Sequence, residues 1–396
     1  MNWEIKRMDE CCSFISDGDH LPPPKAENGI SFITITNINP INNSVDFSSA
    51  MFVPPSYYEA LGDARKAKKN DILYSVVGSF GIPVLLTEDK KFVFQRHIAL
   101  VRPDCKVVLP EFLYYTMKSH AFYSQADSYA IGSAQRTLSL GSLRKMKVKV
   151  PPLKIQESIA SLLRYYDSLI DTNNKRIKVL EQMGESMYKE WFVRFRFPGH
   201  ETAEYENGIP KGWRYEKLFD VAKITYGYPF SSDTFCDDES LNAVVRIRDI
   251  PNNATKTYTP EHCDTKYLIS QNAILVGMDG IFHMCLWNGA RAFLNQRVVE
   301  IESTLKNVCN YLLFLSIAPQ VKFWEQTIAG TTVAHLGDKH LKKIMVLLPD
   351  AKLLERANSI LKNIMIEKNE LFKKNENLKM QRDFLLPRLM SGKLEV

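Results

Sequence analysis

The chain has 396 residues, of which 45% are hydrophobic and 11% aromatic, and this balance excludes a disordered or fibrous protein. Its length is sufficient for two or three globular domains. The formal net charge of +6 is compatible with a polyanionic partner but too small to require one.

The seven cysteines predict neither disulfides nor a zinc site. Their number is odd, whereas a disulfide framework pairs an even number of cysteines. No two are spaced as C-x-x-C, which is the spacing typical of zinc ribbons. The start, MNWEIKRMDECC, lacks the basic residues and apolar run of a signal peptide, and no stretch approaches the ~18 apolar residues of a membrane span. We therefore expect a soluble, cytoplasmic protein with no metal site.

The first 150 residues predict a mixed α+β domain. The runs ISFITITNI (30–38) and KFVFQRHIALV (91–101) are typical of strands, and PEFLYYTMKSHAFYSQA (110–126) predicts one helix. A short strand at 148–150 then meets Pro151-Pro152 and a long helical pattern. Proline is tolerated in the first turn of a helix but not inside it, so the helix is expected to begin there.

The second half repeats this order. Residues 198–212, rich in Gly, Pro and charge, predict a linker between a central helix at 151–197 and a second domain at 213–349. NAVVRIRDI (242–250) and RAFLNQRVVEI (291–301) predict strands, and CNYLLFLSIAPQVKFWEQT (309–327) predicts a helix. A second long helix follows at 350–396. A helix of about 40 residues is a rod of ~60 Å.

The two halves are internally similar. Gly132-Ser133 matches Gly330-Thr331, LRKMKVKVP at 143–151 matches LKKIMVLLP at 341–349, and IQESIASLL at 155–163 matches LLERANSIL at 353–361, all at an offset of 198. Upstream the offset drifts, as expected where loop lengths differ. There Asn70 matches Asn272, Gln95-Arg96 matches Gln296-Arg297, and Trp3 matches Trp213. The chain therefore contains one domain type twice.

A seven-residue spacing predicts that the long helices form an antiparallel coiled coil. In the first helix it comprises Ile159, Tyr166, Asn173, Leu180 and Met187, with Leu162, Leu169 and Met183 completing the stripe. The offset of 198 relates these five positions to Ala357, Ile364, Leu371, Leu378 and Leu385. Asn173 either fixes the register or meets solvent where the helices splay.

Several motifs together resemble a known family. PPLKIQESIASLLRYYDSLIDTNNKRIKVLEQM, MYKEWFVRF, NDILYSVVGSFG and RDFLLPRLMSGKLEV are similar to the specificity subunit of a type I restriction-modification system, over the whole chain and in order. The second copy departs from the pattern, because VLLPDAKLLE lacks the Pro-Pro and the Gln of the first. This departure concerns the start of the second helix.

The resemblance implies a subunit without chemistry of its own. Each target-recognition domain would recognise one half of a split double-stranded DNA sequence, and the helices would set the spacing. Two methyltransferase (modification) subunits and ATP-dependent restriction subunits would assemble around the chain. S-adenosylmethionine, ATP and Mg²⁺ are then cofactors of these partners, and none is expected in this chain.

The internal repeat supports the same interpretation. Two similar domains joined by long helices suit the near-twofold symmetry of DNA, and because their sequences differ, their half-sites should differ. A rod of ~60 Å corresponds to a turn or two of duplex, since one turn is ~34–36 Å.

Candidate DNA contacts lie in loops and basic clusters. GSFG, with Ser79, either lets the backbone approach phosphates or is an ordinary hairpin turn. IGSAQRTLS (131–139) provides Ser133, Gln135, Arg136 and Thr137, of which Gln suits adenine and Arg suits guanine. The matching AGTTVAHLG provides Thr331, Thr332 and His335.

Basic residues outside these loops have two interpretations each. Lys66, Lys68 and Lys69 in ARKAKKN are phosphate contacts or a solvated face. Arg246 and Arg248, on one face of a predicted strand, are groove contacts or partners of Asp249. QRH (95–97) and NQR (295–297) recur on predicted strands, and recurrence favours internal hydrogen bonding over DNA contact.

No enzymatic motif is evident. The chain has no P-loop, NINP at 37–40 is a poor imitation of a methyltransferase motif, and the eight histidines are scattered. Asp71, Glu88 and Lys90 have the residue types of a nuclease site at loose spacing. The leading hypothesis is a DNA-recognition and scaffolding subunit; the alternatives are a stand-alone methyltransferase or nuclease, and a coiled-coil scaffold that binds only protein.

The end of the first long helix is unusually aromatic. MYKEWFVRFRF (187–197) contains Trp191, Phe192, Phe195 and Phe197, more aromatic surface than two packed helices need. We expect this segment, and its counterpart FLLPRLM (384–390), to dock on a globular domain or on a modification subunit.

Overall fold

The computed structural model describes residues 3–20, 22–40, 42–132, 136–328 and 334–395. The chain forms two compact units. Unit 1 comprises Met1–Asp171 with Glu376–Val396, and unit 2 comprises Thr172–Asn375. Each unit therefore contains one globular domain and a segment of each long helix.

Unit 1 is built mainly on antiparallel strand pairs. Its strands are β1 Glu4–Arg7, β2 Cys12–Asp17, β3 Ile30–Ile33, β4 Ile38–Asn39, β5 Ser44–Val45, β6 Met51–Val53, β7 Ile72–Ser75, β8 Pro83–Leu85, β9 Phe92–Phe94, β10 Ile98–Pro103 and β11 Lys147–Val150. Its helices are α1 Met8–Cys11, α2 Pro55–Ala60, α3 Pro110–Lys118, α4 His120–Tyr129, α5 Leu140–Lys145 and the start of α6 Leu153–Tyr188. The main sheet has the order β2-β10-β7-β8, beside a sheet β6-β3-β9 and the pairs β1-β11 and β4-β5.

Unit 2 has a matching set of elements. Its strands are β12 Tyr205–Glu206, β13 Ile209–Pro210, β14 Arg214–Lys217, β15 Ala222–Tyr226, β16 Asn242–Val245, β17 Tyr258–Thr259, β18 Ile274–Gly277, β19 Met284–Leu286, β20 Phe293–Leu294, β21 Val298–Ser303 and β22 Met345–Leu348. Its helices are α7 Leu218–Val221, α8 Asn310–Thr327, α9 Asp338–Leu341 and the start of α10 Ala351–Met390.

The sheets confirm the internal repeat. The order β15-β21-β18-β19 reproduces β2-β10-β7-β8, and β17-β16-β20 reproduces β6-β3-β9, each with one parallel pair. The pair β14-β22 reproduces β1-β11. Both units are thus copies of one α+β domain.

The single helix predicted at 110–126 is wrong, because Ser119 divides it into α3 and α4. The Ser119 hydroxyl donates to the Thr116 carbonyl at 2.6 Å and accepts from the Phe122 N–H at 3.3 Å. A serine that caps the next turn competes with the continuing helix. The matching helix α8 continues through Pro319 to Thr327.

Gln156 explains how a strand is joined to a long helix. It is fully buried; its side chain accepts from the Leu109 N–H at 2.8 Å and donates to the carbonyls of Val107 and Pro151, at 3.0 and 2.8 Å. One side chain thus fixes α6, the end of β11 and the start of α3. In unit 2, Asn358 on α10 makes the equivalent contact, accepting from the Cys309 N–H at 2.6 Å, so the Gln missing from the second motif is replaced one turn later.

The two long helices run 36 and 40 residues, as predicted, and are antiparallel within each unit. In unit 1, Ile159 shares a core with Leu386 and Leu389, and Asp167 is ion-paired with Arg382 at 2.5 Å. In unit 2, Leu180 packs with Leu361 and Ile364, and Glu181 is ion-paired with Lys368 at 2.7 Å.

The face of α6 that packs against α10 contains two rows of residues, and one of them differs from the prediction. Ile159 is fully buried, while Tyr166, Asn173, Leu180 and Met187 are half-buried. The second row is not Leu162, Leu169 and Met183; Met183 is 54% exposed. The buried row lies one residue later and comprises Gln156, Leu163, Ile170, Ile177 and Gly184. A glutamine and a glycine conceal this row from a search for apolar residues.

The predicted row on α10 lies against the same face of α6. Ala357, Ile364 and Leu371 are buried, and Leu378 and Leu385 are half-buried. A second row carries polar side chains that face partners on α6: Lys368, Asn375 and Arg382. No helix in the part of the chain that the structure describes is long and apolar enough to cross a membrane.

Candidate nucleic-acid interface

Two loops of unit 1 are held together by backbone hydrogen bonds. We call residues 76–81, with the described residues of 131–138, loop pair 1. The Leu138 N–H donates to the Val76 carbonyl at 2.8 Å, and the Gly78 N–H donates to the Arg136 carbonyl at 3.0 Å. Val77 and Thr137 form a β-bridge between these bonds. The two loops therefore present one rigid surface.

Unit 2 contains the same arrangement. We call residues 278–283, with 334–336, loop pair 2. The Leu336 N–H donates to the Met278 carbonyl at 2.8 Å, the Gly280 N–H donates to the Ala334 carbonyl at 2.9 Å, and Asp279 bridges His335. Gly78 and Gly280 have φ of 70° and 71°, a left-handed conformation that favours glycine.

The exposed tip residues of these hairpins differ. Gly78 and Gly280 are each followed by an exposed residue, Ser79 in unit 1 and Ile281 in unit 2, and then by buried Phe80 or Phe282. The GSFG segment is the hairpin turn between β7 and β8, with the Gly81 N–H bonded to the Ser75 carbonyl at 2.9 Å. The backbone is thus shared, and the side chain at the tip is not.

A third segment lies beside each loop pair: residues 95–97 in unit 1 and 295–297 in unit 2. The structure shifts the sequence alignment of these two segments by one residue. The Ile98 N–H donates to the Gln95 carbonyl at 3.0 Å, and the Val298 N–H donates to the Asn295 carbonyl at 2.9 Å. Gln95 is therefore equivalent to Asn295, and His97 to Arg297. Gln95 and Asn295 form single β-bridges just after β9 and β20. The next two residues of each segment, 96–97 and 296–297, lie in turns and not on strands as predicted.

Loop pair 1 borders a concave site of about 350 Å³. Its lining includes Asp17, His20, Arg96, His97, Thr137 and Ser139. Burial and the neighbouring Arg96 hold the pKa of His97 below its usual value. Arg96 is exposed and forms no ion pair with any described residue. The site is lined by hydrogen-bonding groups of both polarities, as recognition of base edges requires.

Arg136 is bound to Asp127 of α4. Its Nη1 lies 2.9 Å from Asp127 Oδ1, and its Nη2 donates to the Asp127 carbonyl at 2.6 Å. The guanidinium also lies over the Phe80 ring, 5.8 Å from its centroid. Both terminal amines of Arg136 are therefore engaged within unit 1.

Loop pair 2 carries an exposed charged cluster. Asp279 Oδ1 lies 2.6 Å from His335 Nδ1, and Asp279 Oδ2 lies 3.3 Å from Arg297 Nε. At equivalent positions loop pair 1 has Val77, Thr137 and His97. The two surfaces are chemically different on one backbone frame.

The predicted basic cluster is partly committed to contacts within unit 1. Lys66 donates to the Glu59 carbonyl at 3.0 Å and lies over the Tyr58 ring. Lys68 and Lys69 are exposed, and neither forms an ion pair among the described residues. Their charges are available to an anionic partner.

Arg246 and Arg248 do not share a strand face, because β16 ends at Val245. The Asp249 carboxylate accepts from the Arg246 N–H at 2.9 Å and starts a 3₁₀ turn there. The Arg246 side chain lies 3.8 Å from that carboxylate and donates to the Thr257 hydroxyl. Arg248 is exposed. Ser133, Gln135, Thr331 and Thr332 lie outside the described residues.

Asp71, one of the three residues of nuclease-like type, belongs to an internal ion pair with Arg102. Asp71 is buried and accepts two hydrogen bonds from Arg102, at 2.7 and 2.6 Å, while Lys90 lies 3.5 Å from the centroid of the Phe47 ring. Within the described ranges no group of three or more His, Cys, Asp and Glu side chains is placed to hold a metal ion.

The aromatic segment after α6 packs on the domain of unit 2. The chain continues from α6 as one π-helical turn, Lys189–Val193. Phe192 and Phe197 are buried against Trp213, with ring centroids 5.7 and 5.2 Å away. Trp191 is half-buried, and the Arg356 guanidinium lies 5.8 Å from its ring centroid.

Sequence reasoning missed Arg96, Asp279 and Arg297 as members of these surfaces. Recurrence of QRH and NQR favoured internal hydrogen bonding for Arg297, and the pairing of Gln95-Arg96 with Gln296-Arg297 placed it opposite Arg96. Identical letters favoured that pairing, whereas the turn geometry depends on which carbonyl accepts the N–H that begins the next strand. Aligning the strand starts Ile98 and Val298 would have found it.

Comparisons with known proteins agree with this architecture. The model of the family described as "Type I restriction modification DNA specificity domain" matches residues 1–182 and 210–380. The MjaIX specificity subunit of Methanocaldococcus jannaschii is 23% identical over 305 residues, covering 73% of this chain and 70% of that protein. The putative MjaX specificity subunit of the same organism is 25% identical over 420 residues, covering 100% of this chain and 94% of that protein.

A solved structure supports the fold. The crystal structure of the type I restriction-modification S subunit from M. genitalium matches with a TM-score of 0.56 at 14% identity, covering 98% of this chain and 96% of that one. The match of the family model to both halves of the repeat makes the chain a DNA-specificity protein. The chain belongs to the type I restriction-modification specificity family. Its function is that of a specificity subunit, and the alternative of a stand-alone DNA-modifying enzyme finds no support.

Proposed function

We propose that the chain selects the DNA target of a type I complex by recognising a bipartite sequence, one half with each target-recognition domain. The observation that carries this proposal is the shared frame of loop pairs 1 and 2. Matching backbone hydrogen bonds hold both pairs, yet equivalent positions carry Val77 or Asp279, Thr137 or His335, and His97 or Arg297. A constant backbone with different side chains suits recognition of different bases.

Phosphate contacts are proposed to fix each domain on the duplex. Lys68 and Lys69 are exposed and without an ion pair among the described residues, and Arg248 is exposed in unit 2. Lysines in this state lose little on meeting a phosphate, since no internal partner is displaced. Lys66 and Arg246 are weaker candidates, because each already has contacts within its own unit.

Base contacts are proposed for the loop pairs. Ser79, Arg136 and Thr137 lie on loop pair 1, and His335 lies on loop pair 2. Ser133, Gln135, Thr331 and Thr332 belong to the same loops and remain predictions. The side chains of these residues include donors and acceptors for base edges in the major groove.

The long helices are proposed to set the spacing of the half-sites and to dock two modification subunits, with restriction subunits joining the complex. Large apolar side chains remain exposed on the helices of each unit. In unit 1 these include Tyr165, Met380 and Phe384, and in unit 2 Val179, Met183 and Ile366. Exposed apolar side chains of this size on a helix are typical of partner interfaces.

Catalysis is proposed to reside in the partner subunits, together with S-adenosylmethionine, ATP and Mg²⁺. The test is to incubate the purified chain with DNA, methyl donor and magnesium, alone and with modification subunits. We expect methylation at a split sequence only with the modification subunits present. Methylation or cleavage by the chain alone contradicts the proposal, and so does failure of the assembled complex to bind any duplex.

A further inference from the structure

Arg297 presents its guanidinium fork at the surface of loop pair 2. Its Nε lies 3.3 Å from Asp279 Oδ2, and the side chain is 56% exposed. Neither Nη1 nor Nη2 has a partner among the described residues. An arginine fixed through Nε keeps both terminal amines for a second, end-on contact.

Two sets of contacts restrict where this fork can lie. The Arg297 carbonyl accepts from the Met278 N–H at 3.0 Å, which ties its backbone to the loop. Asp279, which follows Met278, is also held by His335 through a β-bridge and the 2.6 Å contact between Oδ1 and Nδ1. Recognition groups are effective when neighbouring contacts restrict their orientation.

We propose that Arg297 recognises a guanine in the half-site of unit 2, donating from Nη1 and Nη2 to the O6 and N7 atoms in the major groove. This inference rests on the proposed function. Paired donors at this spacing match guanine and no other base on its major-groove edge. Asp279 is then a positioning residue, because its carboxylate is paired with the Nε of Arg297.

At the position equivalent to Arg297, unit 1 has no guanidinium fork. His97 occupies the position of Arg297, and both terminal amines of Arg136 are engaged by Asp127. Arg136 must release Asp127 before it can make the same two bonds. A paired-donor contact from this position is thus specific to unit 2, so the two domains differ here in the base that they would recognise.

The test uses the complete complex of this chain with its modification subunits. Methylation-sensitive sequencing first identifies the target. Binding is then measured on duplexes in which each guanine of the second half-site is replaced by 7-deazaguanine, which lacks the N7 acceptor. At one position we expect the analogue to weaken wild-type binding at least about fivefold, as loss of part of a bidentate contact predicts. At that position the analogue should not weaken DNA binding by the Arg297→Ala complex any further.

Two further variants separate base recognition from charge. Arg297→Lys keeps the charge but not the fork, so it should show the same loss at that one position. Asp279→Asn should weaken discrimination at the same position and at no other. Arg291→Ala removes an exposed charge at the opposite end of β20 and should leave all positions unchanged.

Equal weakening of all sequences by Arg297→Ala, with recovery in Arg297→Lys, would mean a phosphate contact and would overturn the inference. So would wild-type binding that is insensitive to 7-deazaguanine at every position. If the wild-type complex shows no sequence preference at all, the proposed function itself fails. A complex that recognises a split target without using Arg297 refutes only the guanine contact.

Discussion

Asn173 of α6 and Asn375 of α10 are hydrogen-bonded to each other through their side chains. Asn173 Nδ2 donates to Asn375 Oδ1 at 2.8 Å, and Asn375 Nδ2 donates in turn to Asn174 Oδ1 at 2.8 Å. Asn375 is only 2% exposed. A buried amide at a seam costs stability and disfavours other registers, because a shift leaves it without a partner. Asn173 thus has a partner across the seam and does not merely meet solvent.

Asn375→Ala is expected to destabilise the chain by about 1–3 kcal/mol, since it leaves the amide of Asn173 at a partly buried position without its acceptor. The free energy of unfolding, from a urea titration, measures this. Asn363→Ala is the matched control, because Asn363 is exposed on the same helix, and it should change stability by less than about 0.5 kcal/mol. Equal effects of both variants would contradict the role of Asn375.

Gly184→Ala is expected to destabilise the chain although alanine favours helices by about 1 kcal/mol over glycine. A Cβ at Gly184 would lie 2.6 Å from the Tyr311 hydroxyl and 2.8 Å from its ring. Gly141→Ala in α5 meets no atom closer than 3.8 Å and should be neutral or stabilising. Thermal unfolding compares the two variants. A stabilising Gly184→Ala would show that Tyr311 moves away without cost.

Glu300 is expected to make stability fall as pH rises. It is buried on β21, accepts from the Ser270 N–H at 2.7 Å, and burial raises its pKa above the usual 4.5. Because the folded pKa exceeds the unfolded one, the folded state binds more protons between them, and unfolding becomes easier as pH increases through that window.

Glu300→Gln keeps the acceptor for Ser270 and removes the charge. At neutral pH it should be more stable than the wild-type chain; the difference should shrink as pH falls through the raised folded pKa of Glu300 and be smallest below the unfolded pKa of about 4.5, where Glu300 is neutral in both states. Urea titrations over this pH range measure the difference. A difference that does not vary with pH would refute the ionisation of a buried Glu300.

Lys68→Ala and Lys69→Ala are expected to weaken binding of the complex to all DNA sequences alike. Each lost phosphate contact should reduce the slope of log affinity against log salt by about 0.9. Lys374→Ala, an exposed lysine on α10, is the charge-matched control. Arg136→Ala should instead act at particular bases. Equal, sequence-independent losses for Arg136 and Lys68 would remove the distinction between base and phosphate contacts.

The repeat, the long helices and the fold class were predictable because they depend on patterns that span many residues. Pro151-Pro152 and the seven-residue spacing that includes Ile159 and Ile364 indicate the two long helices without any tertiary information. Local hydrogen bonds were not predictable: Ser119 ends a helix through its hydroxyl, and Asp249 ends a strand through its carboxylate. The sequence singled out loops whose backbones the structure pairs, and their contacts with DNA remain predictions; Arg297 was not singled out, because one turn shifts the alignment by a residue.

The most direct test of the account is methylation-sensitive sequencing of a host that expresses this chain with modification subunits. Recognition of one half-site by each domain predicts a methylated motif of two different specified parts separated by a fixed unspecified gap. It also predicts that replacing residues 213–349 with the corresponding domain of a relative changes one part and preserves the other. An uninterrupted motif, or a replacement that alters both parts together, would contradict recognition of one half-site by each domain.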